Sequence, residues 1–77
     1  MKKVTVYSTP MCGYCIRLKQ FLDQKGVEYE TIDISKDPSK LQELVKKSGQ
    51  MGVPVTDIEG KIIVGFDKQE IVEALGI

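Results

Sequence analysis

The chain has 77 residues, of which 42% are hydrophobic and 29% charged, and its 11 basic and 11 acidic side chains cancel. This composition is typical of one small globular domain, residues 1–77. We expect no signal peptide, and no membrane span, because the sequence lacks the run of about 20 apolar residues that crosses a membrane. It also lacks the dense basic stripe with interleaved aromatic residues that binds nucleic acid, so we expect a cytoplasmic monomer that engages neither membranes nor nucleic acid.

The hydrophobic pattern predicts seven elements in the order β-α-β-α-β-β-α. The predicted strands cover residues 4–7, 27–34, 53–58 and 61–64. The predicted helices cover residues 14–25, 38–48 and 68–75. Asp37 and Asp67 are the expected N-terminal caps of the second and third helices, and Gly26 closes the first. A right-handed parallel βαβ unit, followed by an antiparallel hairpin that turns at Glu59-Gly60, makes the sheet mixed.

Both cysteines lie in the segment Cys12-Gly13-Tyr14-Cys15, between the first strand and the first helix. A helix N-terminus has unpaired N–H groups and a partial positive charge, so it stabilises a thiolate, the form of cysteine that attacks disulfides. A disulfide across so short a loop would stabilise the fold by only ~2 kcal/mol. The position and spacing therefore favour a redox pair over a structural cross-link.

The helical wheel predicts that the two cysteines differ in exposure. If the helix includes residue 12, Cys15 lies at the edge of the buried stripe, whereas Cys12 lies near the opposite side with Ile16. We therefore expect Cys12 to be the exposed nucleophile and Cys15 to be shielded and to resolve the mixed disulfide. Residue 12 as a helix cap is the open alternative. Ile16 is either an isolated exposed residue or part of a docking surface beside the cysteines.

The distribution of charge and the lack of histidine limit the reactions that the two cysteines can perform. Residues 1–27 carry five basic side chains and one acidic side chain, a net charge of +4, which favours a thiolate and acidic partners. Without histidine the chain has no imidazole base for a Cys–His protease and no ligand for a mixed Cys/His zinc site. A dimeric module that binds a metal or an iron–sulfur cluster through the same cysteines is the alternative function, ranked well below redox catalysis.

Three segments resemble the glutaredoxin family in their order and spacing, and together they span nearly the whole chain. They are Ser8-Thr9-Pro10-Met11-Cys12-Gly13-Tyr14-Cys15, Gln50-Met51-Gly52-Val53-Pro54 and Val64-Gly65-Phe66-Asp67. The resemblance implies a thioredoxin-like fold, with a four-stranded mixed sheet of order 2-1-3-4 flanked by three helices. It also implies a thiol–disulfide oxidoreductase with Cys12 and Cys15 as catalytic residues and with no bound metal or cofactor. Its substrates would be protein disulfides or mixed disulfides with glutathione.

The resemblance further implies a set of residues that bind the substrate or glutathione: Tyr14, Val53, Pro54, Gly65 and Asp67. Pro54 would follow a cis peptide bond, pack close to the cysteines and turn the Val53 backbone towards a substrate strand. The residues alone favour a trans bond, because only about 5–6% of X–Pro bonds are cis. Gly65 and Asp67 would lie near the γ-glutamyl end of glutathione, while Asp67 caps the last helix. Tyr14 would flank the nucleophile, or else pack as the first residue of the buried stripe.

Two segments depart from the family's usual pattern, the pair between the cysteines and the residue after Gly65. Gly13 stands where the dithiol motif of the family has proline, and Tyr14 stands where the thioredoxin motif has proline. Phe66 stands where many members that bind glutathione have a second glycine. The Phe66 side chain would crowd glutathione or contact a protein reductase. Both glutathione and a flavoprotein of the thioredoxin-reductase type are therefore candidate electron donors.

Overall fold

A computed structural model describes residues 3–50 and 52–77, so Met1, Lys2 and Met51 lie outside the described residues. The strands are β1 (Val4–Ser8), β2 (Glu30–Asp33), β3 (Val55–Ile58) and β4 (Lys61–Val64), and the helices are α1 (Gly13–Gln24), α2 (Pro38–Ser48) and α3 (Lys68–Leu75). The sheet order is β2-β1-β3-β4, with β1 parallel to β2 and antiparallel to β3, and β3 antiparallel to β4. The predicted element order and the mixed sheet of order 2-1-3-4 are confirmed.

The two faces of the sheet are covered by different helices, because successive strand residues point to opposite faces. Val6 of β1 belongs to a core cluster with Leu18 of α1 and Ile71 of α3. The next residue, Tyr7, belongs to a second cluster with Leu44 of α2. Helices α1 and α3 therefore cover one face and α2 covers the other. No helix in the described part of the chain is long and apolar enough to cross a bilayer.

The second strand is shorter than the sequence predicts. It begins at Glu30 rather than at residue 27, because Val27 is used to close α1. Gly26 has a left-handed φ of +69°, its N–H donates to the Asp23 carbonyl at 3.1 Å, and the Val27 N–H donates to the Leu22 carbonyl at 3.0 Å. This pair of bonds is a Schellman motif, which satisfies the last carbonyls of the helix.

The predicted N-terminal caps of α2 and α3 are both present. Asp37 accepts a hydrogen bond from the Ser39 N–H at 3.0 Å, and Pro38 follows it as the first helical residue. Asp67 accepts a hydrogen bond from the Glu70 N–H at 3.1 Å. Each carboxylate satisfies an N–H group that the helix itself leaves unpaired. The Asp67 cap thus fixes where α3 begins after β4.

Candidate active site

Cys12 is the N-terminal cap of α1. Its backbone is extended, with φ −93° and ψ 110°, and its Sγ atom accepts a hydrogen bond from the Cys15 N–H at 3.1 Å. The Cys12 N–H donates in turn to the Thr9 carbonyl at 3.3 Å, which holds the loop between β1 and α1. The sulfur therefore occupies the position that a serine or aspartate oxygen takes at an ordinary cap. The open alternative of the sequence analysis, residue 12 as a cap, is the one observed.

Cys15 is fully buried, whereas Cys12 is partly exposed. Burial raises the pKa of the Cys15 thiol to about 11, and its hydrogen bond to Cys12 and the charge of Cys12 act in the same direction. A hydrogen bond from the Thr9 backbone and the charge of Lys19 oppose these effects. Cys15 therefore remains a thiol at neutral pH. The two cysteines differ in exposure as expected, but Cys12 is a cap and not a helical residue, so the helical wheel accounts only for the burial of Cys15.

The Val53–Pro54 peptide bond is cis, and the Pro54 side chain is fully buried. The register of β1 with β3 places Tyr7 opposite Val55, so Pro54 lies at the same end of the sheet as the loop that leads to the cysteines. The Pro54 carbonyl accepts a hydrogen bond from the Gly65 N–H at 2.8 Å. Gly65 has a φ of +80°, a conformation that favours glycine. The topology thus brings the loops that follow β1, precede β3 and follow β4 to one end of the sheet.

Phe66 points towards α1. Its ring packs edge-on against Phe21, with the ring centroids 5.9 Å apart and the planes at 64°. The Lys68 ammonium lies over both rings, 5.6 Å from the Phe66 centroid and 5.8 Å from that of Phe21. The side chain is half-buried, so it joins α1 to the start of α3. Asp67, the next residue, is exposed at the cap of α3.

Tyr14 flanks the cysteines on the solvent side. It is 62% exposed, and the Arg17 guanidinium lies over its ring, 5.7 Å from the centroid. Tyr14 is therefore not the first residue of the buried stripe, which was the second interpretation of its position.

The sequence analysis missed two groups near the cysteines. Met11 is 94% exposed in the loop before Cys12, and its position directly before the motif was the available signal. Lys19, which the helical wheel places with Ile16 on the side of Cys12, lies four residues after Cys15 on α1, and its charge acts on the Cys15 thiol. The Thr9 backbone, in contrast, is brought to Cys15 by the path of the loop, which no local pattern reveals.

A βαβ unit with two cysteines at the N-terminus of its helix, and a cis-proline at the same end of the sheet, defines the thioredoxin-like class of redox domains. The sequence model of the glutaredoxin family matches residues 4–63, and the chain therefore belongs to the glutaredoxin family. Membership of this family, with both cysteines present, supports thiol–disulfide oxidoreductase chemistry in general.

Individual relatives agree with this assignment. Glutaredoxin 3 of Escherichia coli K12 is 34% identical over 76 residues, which are 99% of this chain and 92% of that protein. An uncharacterised glutaredoxin-like 8.6 kDa protein from the rubredoxin operon of Clostridium pasteurianum is 40% identical over 68 residues, 88% of this chain and 91% of that one. The crystal structure of a glutaredoxin from Archaeoglobus fulgidus matches with a TM-score of 0.88 at 28% identity, covering 97% of this chain and 87% of that chain.

Proposed function

We propose that this protein is a dithiol–disulfide oxidoreductase that reduces protein disulfides or mixed disulfides with glutathione. In this proposal Cys12 is the nucleophile and Cys15 resolves the mixed disulfide. The observation that carries it is the hydrogen bond from the Cys15 N–H to Cys12 Sγ, 3.1 Å long, next to a fully buried Cys15 thiol. The helix terminus favours negative charge on the partly exposed sulfur, whereas burial keeps the other sulfur protonated.

The reaction proceeds by two exchanges. The Cys12 thiolate attacks one substrate sulfur, so that a Cys12–substrate bond forms while the substrate disulfide breaks and its other half leaves as a thiol. Cys15 then loses its proton and attacks Cys12 Sγ, which forms the Cys12–Cys15 disulfide and releases the second substrate thiol. Two electrons have then passed to the substrate. Two glutathione molecules, oxidised to their disulfide, or a reduced flavoprotein return them.

The causes of the raised Cys15 pKa explain how its proton is held and then released. Two of them, the hydrogen bond to Cys12 and the charge of Cys12, require a free Cys12 sulfur. Both disappear when Cys12 enters the mixed disulfide, and the Thr9 backbone and Lys19 continue to favour the Cys15 thiolate. These two contributions to the raised pKa of Cys15 are therefore absent at the step in which Cys15 attacks, whereas burial continues to raise the pKa. Before that step, Cys15 does not compete with Cys12 for the substrate.

The remaining residues of the site are proposed to hold the substrate. Val53 and the buried Pro54 lie at the end of the sheet that carries the cysteines. In this proposal the Val53 backbone pairs with an extended substrate segment. Gly65 and the exposed Asp67 lead into α3, whose N–H groups favour a carboxylate such as that of the γ-glutamyl group. Tyr14 offers an exposed aromatic face beside the nucleophile.

Single-cysteine variants test the two roles. Cys15→Ser retains the nucleophile and lacks the resolving thiol, so we expect it to accumulate a mixed disulfide with an oxidised protein substrate, visible as an added mass in intact-protein mass spectrometry. We expect Cys12→Ser to form no such adduct and to lose protein-disulfide reduction, a loss of at least ~100-fold given the role of a nucleophile. Full turnover by Cys12→Ser would refute the assignment.

The alternative function, a metal or iron–sulfur module, needs ligands from a second copy or from external thiols. Among residues 3–50 and 52–77, no group of three or more Cys, Asp or Glu side chains is placed to hold a metal ion. An absorbance spectrum of anaerobically purified protein separates the two functions, because a bound cluster absorbs in the visible range and a dithiol does not.

A further inference from the structure

Exposed apolar side chains are concentrated around Cys12. Among the described residues, six large hydrophobic side chains are exposed, and three of these lie within four positions of Cys12. They are Met11, Tyr14 and Ile16, with 94%, 62% and 51% exposure. Single exposed apolar residues are ordinary, but a group of them next to a reactive atom is typical of an interaction surface.

The helix geometry places Ile16 directly beside the nucleophile. The Ile16 N–H donates to the Cys12 carbonyl at 3.2 Å, so the two residues are one turn apart on the same side of α1. Gly13, between them in sequence, adds no side chain, and a Cβ atom at Gly13 would meet no other atom within 4 Å. The backbone next to Cys12 is therefore open to an incoming chain that passes over Ile16.

Positive charge lies at the border of this apolar area. Arg17 is exposed and lies one turn after Gly13, where the Tyr14 ring supports its guanidinium group. Within α1 the acidic residue is Asp23 alone, in the last turn and far from Cys12. A partner segment that passes over Ile16 therefore lies close to the Arg17 guanidinium, and no acidic residue near it on α1 neutralises this charge.

We propose that Met11, Gly13, Ile16 and Arg17 form a docking surface for one kind of partner. This partner is a disulfide-bearing protein segment with an apolar residue next to its reactive cysteine and a carboxylate beyond it. The inference rests on the proposed function, and it names the substrate class of that same site. Charge complementarity with Arg17 selects the carboxylate, and the exposed surfaces of Met11 and Ile16 select the apolar residue. Glutathione has carboxylates but no apolar side chain, so this surface favours a protein segment.

The test uses single turnovers, so that no electron donor is needed. Pre-reduced protein is mixed with short peptides that each contain one disulfide, and mass spectrometry follows formation of the Cys12–Cys15 bond. One peptide carries Leu and Glu beside the cystine and the other Ser and Lys, and two intermediate peptides, Leu with Lys and Ser with Glu, separate the two preferences. We expect the first to oxidise the protein about tenfold faster than the second, because one apolar contact and one exposed ion pair each contribute a factor of a few. Hydroxyethyl disulfide, which has neither group, gives the reference rate for each variant.

Variants separate the two contributions. Relative to the hydroxyethyl disulfide rate, Arg17→Glu should remove the preference for Glu over Lys, and Ile16→Ser or Met11→Ser should remove the preference for Leu over Ser. The Glu preference should also shrink at high salt, because exposed charges are screened. Lys61→Glu makes the same change of charge at the opposite end of the sheet, and we expect it to leave both preferences intact.

The outcomes are distinguishable. If hydroxyethyl disulfide oxidises the wild-type protein but the four peptides react at equal rates, the docking surface is refuted and the proposed function stands. If Arg17→Glu and Lys61→Glu reduce the Glu preference equally, overall charge and not this surface governs selection, which also refutes it. If no disulfide oxidises the protein, the proposed function fails and the docking surface fails with it.

Discussion

At Cys12 one sulfur atom both caps α1 and is the proposed nucleophile. Serine is among the preferred capping residues and alanine is not. We therefore expect Cys12→Ser to keep the stability of the wild-type protein within ~0.5 kcal/mol, and Cys12→Ala to lose about 1 kcal/mol. Urea unfolding of the reduced proteins measures both values. Equal stabilities of the serine and alanine variants would show that the sulfur does not act as a cap.

This comparison also determines how the loss of activity is understood. Because Ser preserves the cap, loss of disulfide reduction in Cys12→Ser is a loss of the nucleophile and not of the helix terminus. In a Cys12–Cys15 disulfide the Cys12 Sγ atom has no negative charge, so it is a weaker acceptor for the Cys15 N–H than the thiolate is. Reduction and the capping of α1 are in this way linked through a single hydrogen bond.

The raised pKa of Cys15 predicts selective modification. Below its pKa of about 11 the buried Cys15 remains a thiol, and only the thiolate reacts quickly with iodoacetamide. At neutral pH we expect alkylation at Cys12, with labelling of Cys15 at least ~10-fold slower and rising only in strongly alkaline solution. Peptide mass mapping after timed alkylation measures the two rates. Preferential labelling of Cys15 at neutral pH would contradict the assignment of the nucleophile.

At the scale of elements, Lys47 links α2 to the sheet. Its ammonium donates hydrogen bonds of 2.9 Å to the Tyr7 hydroxyl on β1 and 2.9 Å to the Asp57 carboxylate on β3. Burial alone would raise the pKa of Asp57, but the bonds from Lys47 and from the Gly60 N–H outweigh it, so the pKa is lowered. The Tyr7 hydroxyl, and then Asp57, raise the pKa of Lys47.

These shifts predict how stability depends on pH. A lowered carboxyl pKa contributes stability above the unfolded value of about 3.9, and this contribution is lost as the pH falls through the folded value. We therefore expect Asp57→Asn to cost about 1 kcal/mol at pH 7, a magnitude typical of a partly exposed pair, and to cost much less near pH 3. Urea unfolding at both pH values tests this. A cost that does not change with pH would mean that packing, not charge, is lost.

Features that depend on contacts between residues close in sequence, such as helix caps, are predicted well from the sequence. Asp37 is recognisable as a cap because its partner N–H lies two residues away. The predicted start of β2 at residue 27 was wrong, because Val27 has the hydrophobic character of a strand residue while its N–H closes α1. The cis bond before Pro54 followed only from the resemblance, since the residues alone favour trans. The packing of Phe66 on Phe21 joins residues distant in sequence and had no local signal.

At the scale of the whole molecule, the topology assembles the site from three segments. The loop after β1 supplies the cysteines, the residue before β3 supplies the buried Pro54, and the loop after β4 supplies Gly65 and Asp67. The parallel β1–β2 pair and the antiparallel β1–β3 and β3–β4 pairs bring these segments to one end of the sheet. An electron donor that reduces the cysteines approaches this same end of the sheet. A large donor contacts more of the residues around the cysteines than a small donor does.

Phe66 stands where many glutathione-binding members of the family have a second glycine, so a change at this residue tests the choice between the two candidate donors. Its ring bridges α1 and α3, next to Gly65 and Asp67, where glutathione would need room. We expect Phe66→Gly to raise the rate at which glutathione reduces the oxidised protein by about fivefold, which corresponds to ~1 kcal/mol of relieved crowding. In the assay, glutathione reduces the oxidised protein, and glutathione reductase with NADPH reduces the glutathione disulfide that forms. NADPH with thioredoxin reductase serves as the second donor.

Phe66→Leu is the matched control, because it keeps an apolar side chain of similar length while it removes the ring's edge-on contact with Phe21 and its contact with the Lys68 ammonium. We expect glutathione to reduce oxidised Phe66→Leu at the wild-type rate. Both variants should be less stable than the wild-type protein, by about 1 kcal/mol for loss of the aromatic contact and by more for the glycine variant. If glutathione reduces both variants faster than the wild-type protein by the same factor, the increase comes from loosening of α3 and not from the smaller bulk at residue 66. If neither gains, Phe66 does not exclude glutathione, and the choice of donor must lie in contacts that a reductase makes elsewhere at this end of the sheet.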